Sequence, residues 1–570
     1  MTSLSRKIEY RLLTALMAAG LMFHCHSQIL VAQGLAQPPA RSSFDYINTG
    51  NCVNCHTDRA SMKEHDDFID VAPAEVWSKL DKHSQAFELL KDSKLTNQIL
   101  GFDLRDAFED KVKLTSLSDD EQLKFEVETV KSCLRCHATR PREAEDAAGK
   151  LSGRAEPLAR GVSCQACHGP AGEWELAHSD KWWRLVSHQA KSKLRFTNVR
   201  DPVVRTELCA SCHVGSVKEG KFVKHEWYAA GHPPLPAFEY AAFAAQMPIH
   251  WKPLAEKGDF AGRTATVKPD LDAQGEWIAS LSRRNIDIAT TDIKRSYGEA
   301  SFPLAKDDAP FTNLPRTQDV TLSGIVVLKT YAGLAGDYAD ESSKGNKLFP
   351  WPEFALYDCA ACHHELRRQD GLSSRPARRG PPGRPPMPRW TSALLGLATE
   401  RTAEVNADLR ALELAFTERP FGSPQKIAAA AQKLTPLLNQ LCQELSSAKF
   451  DDARTAKALA ILLNSGGTAD VRDYASARQI AWAIQSLRQD QERIPYAFAP
   501  PLSAPQKQAQ DRIAALFHRD GSDALLLILP AQRNPVVDNL PEFLRAMGDY
   551  DAEWFAERLT LLKKEQPKSE

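Results

Sequence analysis

Net charge is nearly absent from this 570-residue chain, in which 72 lysines and arginines face 73 aspartates and glutamates. So even a balance supplies no global field for nucleic acid or an anionic membrane surface. Long apolar runs are missing beyond the first forty residues, and no later segment is expected to span a bilayer. Cysteine is scarce outside one pattern: of twelve, only Cys25 and Cys442 fall elsewhere. A framework of disulfides is therefore not expected, since such frameworks belong to short extracellular chains unable to build a core. Residues 252–350 hold neither cysteine nor histidine.

What the chain does have is CxxCH, five times: CVNCH at Cys52, Cys55 and His56; CLRCH at Cys133, Cys136 and His137; CQACH at Cys164, Cys167 and His168; CASCH at Cys209, Cys212 and His213; CAACH at Cys359, Cys362 and His363. Chance would supply roughly 0.01 copies at these cysteine and histidine frequencies. Tetrahedral zinc would require CxxC pairs matched two by two, and five pairs do not divide evenly. Nor does zinc or a disulfide explain a histidine after every pair. Covalent c-type haem explains both features, because two thiols add to the porphyrin vinyl groups and the adjacent imidazole becomes the proximal iron ligand. Five covalently attached c-type haems are expected.

The N-terminus places Arg6, Lys7 and Arg11 before an apolar stretch from Leu12 to Phe23, the pattern of an export signal, with cleavage expected after Ala36. A retained anchor over residues 12–36 is the alternative. Residues 41–366 contain all the haem motifs and read as a pentahaem module. Within it, 252–350 reads as an insertion with strand-like pieces such as VTLSGIVVLKTY at 320–331. Residues 367–390 carry six prolines and seven arginines and read as an extended linker. Beyond it, Val405, Leu409, Leu412 and Phe416, then Leu434, Leu438, Leu441 and Leu445, then Ile480, Ile484 and Leu487 recur at helical spacing. The expected fold is mainly α: a multihaem module with few strands and long loops, followed by a haem-free helical bundle over 391–570. Cys442 reads as a small buried hydrophobe and His518 as structural.

Function turns on the sixth ligand of each iron. A second imidazole makes an electron carrier, whereas an open position admits a small molecule. In KHEWYAAGHPPL, His225 and His232 are seven residues apart and share a face if the segment is helical. Pro233 ends such a helix and would present His232 from a turn. His65, His188, His250 and His364 are weaker candidates.

Residues 45–240 resemble the tetrahaem cytochrome c554 family of nitrifying bacteria and its larger multihaem relatives. The resemblance rests on EVWSKLDKHSQAF with Trp77 and His83, on the close second and third motifs, and on GVSCQACHGPAGEWELAHSD, where His178 follows His168 by ten positions. It implies that His83 and His178 serve as distal ligands to haems other than those attached beside them. It also implies a five-coordinate second haem, on His137. The fifth motif and the C-terminal helices have no counterpart in the small tetrahaem pattern.

A periplasmic electron carrier working between periplasmic or membrane-bound redox proteins is the leading expectation. The alternative is an oxidoreductase acting on a small nitrogen or sulfur compound at an open haem. The CxxCK site expected of ammonia-forming nitrite reductases is absent. A third reading makes the helical module a scaffold that anchors the haem module to a membrane complex or partner subunit.

Overall fold

The computed structural model describes residues 46–57, 73–91, 132–139, 160–183, 186–250, 264–267, 271–288, 298–301, 314–363, 384–398, 402–493 and 550–564, with isolated positions omitted. The leader and Cys25, His65, His364, His518 and most of the 367–390 linker lie outside them.

Short helices come first: α1 (Thr49–His56), α2 (Pro73–Leu80), a helical turn over 132–137, α3 (Cys164–His168), α4 (His188–Lys193), α5 (Pro202–His213), α6 (His225–Ala229) and α7 (Tyr240–Ala244). Strands β1 (Thr264–Val267) and β2 (Gly298–Ser301) flank α8 (Leu271–Arg283) and pair antiparallel, Thr264 opposite Ser301. Longer helices follow: α9 (Pro315–Ser343), α10 (Thr402–Phe416), α11 (Pro424–Ser446), α12 (Asp452–Leu463), α13 (Tyr474–Gln491) and α14 (Ala552–Lys564). The fold is mainly α, as the periodicity indicates.

Helix starts follow capping chemistry. Asp201 accepts from the Val203 and Val204 amides ahead of Pro202 at the first position of α5, and Ser423 caps α11 ahead of Pro424. Asp451 and Asp473 do the same for α12 and α13.

One expectation is overturned. The run 320–331, which looks strand-like, lies inside the 29-residue helix α9. Val320, Leu322, Ile325, Val326, Val327 and Leu328 are all fully buried there. A helix enclosed on most sides is apolar around its circumference, and a short β-branched run cut from it cannot be told from a buried strand.

Helix α9 is the centre of the core. It packs on α5, which carries the fourth motif, and on α7, α11 and α13. One apolar cluster joins Ala210 of α5 and Phe238 to Leu412 and Phe416 of α10 and to Leu434, Leu438 and Leu441 of α11. Packing is thus continuous between the haem-motif region and the C-terminal helices. The end of the proline- and arginine-rich segment is docked as well: Met387 is buried, and the Pro386 carbonyl accepts from the Asp358 amide at 2.9 Å.

Candidate haem-binding site

The first four motifs sit on helical turns, ending α1, the 132–137 turn, α3 and α5. On a helix, residues i, i+3 and i+4 share a face, so both thiols and the imidazole of a CxxCH turn project to one side. In the fifth motif Asp358 caps a single turn at Cys359–Ala361, and the His363 amide reaches back to the Cys359 carbonyl at 2.8 Å.

Three of the motif histidines face a histidine from a different segment. His56 faces His178 with ring centroids 6.3 Å apart and planes 21° apart. His213 faces His83 at 6.3 Å and 86°, and His363 faces His225 at 6.2 Å and 30°. His232 is within electrostatic range of His137, and His168 is within the same range of His250, His56 and His178. Two metal–imidazole bonds of about 2 Å plus the inner halves of two rings come to about 6.3 Å. The three gaps would therefore leave room for one metal ion between each pair of rings. Four of these histidines were singled out by sequence; His250 was among the weaker candidates, since no aromatic spacing or nearby motif marks it. Counting could not have selected it, because His65, His188, His364 and His518 were equally available. His188 lies exposed at the start of α4.

Ring orientation is set by the second nitrogen. Nδ1 of His83 pairs with the Asp81 carboxylate at 2.9 Å, that of His137 with the Ala86 carbonyl at 2.9 Å, and that of His232 with the Pro233 carbonyl at 2.8 Å; His178 pairs likewise with Glu175. Donation through Nδ1 leaves the Nε2 lone pair free for a metal. Burial drives the pKa values of His168, His213 and His232 down to about 4, keeping those rings neutral. At His83 burial works against the charged form, but the Asp81 bond and charge win and raise its pKa.

The polypeptide braces these positions. Gly161 has φ +59°, and a Cβ there would sit 2.6 Å from the His83 carbonyl oxygen. This close approach lets the Val162 amide donate to His83 O at 2.8 Å while Trp77 Nε1 donates to Val162 O at 3.0 Å. Inside the third motif, buried Gln165 accepts from the Ile47 and Ala171 amides, both at 3.0 Å, tying the approach to the first motif onto the third. Aromatic rings cover the histidines: Phe238 stacks on His213 at 5.7 Å and Trp174 stands edge-on to His178 at 5.2 Å.

The competing chemistries lack a site among the described residues. None of the eleven described cysteines is in a disulfide, and among the described residues no three or more His, Cys, Asp or Glu side chains cluster around a shared metal position. The residues present fit haem. Residues 51–169, which include the first three motifs, match the family described as cytochrome c554 and c-prime. No curated protein and no solved structure matches the chain.

Proposed function

From a chain that is a cytochrome c554-like multihaem cytochrome over residues 51–169, we propose a periplasmic electron carrier with five covalent haems, each held between two histidines. The cysteine pairs 52/55, 133/136, 164/167, 209/212 and 359/362 would form the thioethers. His56, His137, His168, His213 and His363 would be the proximal ligands, opposed by His178, His232, His250, His83 and His225 in that order. Bound haem supplies a one-electron Fe(III)/Fe(II) couple. The protein fixes the imidazoles through their Nδ1 partners and shields them with Phe238 and Trp174. The opposed rings at 6.2–6.3 Å carry this reading.

His232, within electrostatic range of His137, would be available to close the second site that the resemblance implies is open, which supports a carrier. Among the described residues no helix is long and apolar enough to cross a membrane. Export is supported by the leader pattern and is typical of the family. Its partners would be redox proteins of the periplasm or of the adjoining membrane.

Mass spectrometry of the exported protein should find five haem masses. EPR should show only low-spin signals, and the reduced protein should be optically inert to CO. A high-spin, CO-binding centre on His137 would overturn the carrier in favour of a multihaem oxidoreductase.

A further inference from the structure

Resting on the five-site reading above, we infer that helix α8 completes a carboxylate-binding wall with Trp174 and Trp182, and that a propionate of the haem held between His56 and His178 is the carboxylate it takes. All of these wall residues lie beyond the stretch 51–169 that matches the family.

The wall is a series of aromatic rings in contact. Trp174 stands edge-on to His178 at 5.2 Å and to Phe196 at 5.1 Å. Phe196 meets Trp183 at 6.0 Å, and Trp183 and Trp182 both meet Trp277 of α8, at 5.7 and 5.3 Å. Gln274, Trp277 and Leu281 are spaced i, i+3, i+7 and so share one face of α8. Gln274 and Leu281 are buried on that face. The ring contacts of Trp277 therefore bring the Gln274 amide, one helical turn away, to the same wall.

Ring packing does not account for the polar atoms of this wall. Nε1 of Trp174, Trp182 and Trp277 and both side-chain amide atoms of Gln274 are buried, with no hydrogen-bond partner among the described residues. Trp174 is 7 % exposed, Trp182 4 % and Gln274 1 %. A buried donor that loses water and gains nothing is costly, so such groups in folded proteins are normally matched. Indole N–H groups can only donate, and the amide nitrogen of Gln274 donates as well. The set calls for an acceptor rich in lone pairs, which an ionised carboxylate is. The ammonium of buried Lys191, 5.0 Å from the centre of the Trp183 ring, adds positive charge to the wall. Haem carries propionate carboxylates of its own, and the wall begins at a ligand of the first haem. Donors placed there keep the propionate ionised and offset its charge, which favours the ferrous state of that iron.

The test uses the full holoprotein. Trp182→Phe with Trp277→Phe keeps aromatic rings in place and deletes the N–H groups, while Gln274→Leu deletes the amide. His178→Met gives the first haem a thioether ligand, which raises its potential and marks its component in a spectroelectrochemical titration. On that background the paired tryptophan changes should raise the Fe(III)/Fe(II) ratio of the marked component at fixed potential about tenfold, a fall of about 59 mV in midpoint. Gln274→Leu should move the same component in the same direction. With isotope-labelled haem carboxylates, redox-difference infrared spectra should show one carboxylate stretch displaced by each set of changes. Potentials and carboxylate bands left unmoved would mean that the buried donors hold water only and would overturn the inference. A fall confined to an unmarked component would overturn the assignment to the first haem. Haem mass and low-spin EPR on the same variants report separately on haem count and ligand pairs, so failure of the five-site reading is distinguishable from failure of this one.

Discussion

Asp81 shows how much rests on single side chains. Its carboxylate is bound to His83 Nδ1, and that bond lowers the Asp81 pKa despite the opposing cost of burial. A carboxylate acceptor makes the imidazole a stronger donor and favours the ferric state. Asp81→Asn should therefore raise the midpoint potential of one site by about 60 mV, the equivalent of a tenfold change in relative affinity for a one-electron couple. Spectroelectrochemical titration would show one component moving and four unmoved. At this scale much was legible: CxxCH is local chemistry, and its five copies mark ten cysteines and five histidines as candidates directly from spacing. His250 was not singled out, because a distal ligand is defined by what stands opposite it and leaves no mark beside itself.

Among the elements, α9 and α11 approach closely. A Cβ on Gly336 would lie 2.6 Å from the Cβ of Ala431, so the two backbones meet where neither side chain extends. Gly336→Leu should destabilise the protein by about 1–3 kcal/mol through overpacking, read as a lower guanidinium midpoint with the haem count unchanged. The helices of the C-terminal half were legible because their buried faces repeat at 3.6 residues: Val405, Leu412, Leu434, Leu438 and Ile480 all lie in the core. Helix α9 was misread for the opposite reason, since burial on most sides removes the polar face that reveals a helical period.

For the whole molecule, the shared core makes pH a global variable. Glu239 is fully buried and caps α7 through the Ala241 and Ala242 amides, at 3.0 and 2.8 Å. Burial, reinforced by the charge of Asp319, lifts its pKa to about 7 against the two amide bonds. The folded state thus holds this proton more tightly than the unfolded chain. Its contribution is full below pH about 4.5 and is lost as pH rises to about 7, a change of about 3 kcal/mol. Glu239→Gln should flatten the stability profile across that window in guanidinium unfolding; an unchanged slope would refute the assignment.

Sequence alone determined where haem can attach, because thioether chemistry needs two thiols and an imidazole within five consecutive residues. It likewise determined the C-terminal helices, whose pattern is set by one buried face. Only the tertiary structure set His178 against His56, His83 against His213 and His225 against His363, and made α9 bind the haem-motif region and C-terminal helices into one core. Those facts depend on groups distant in the chain being brought within a few ångströms, a condition that no local pattern of residues encodes.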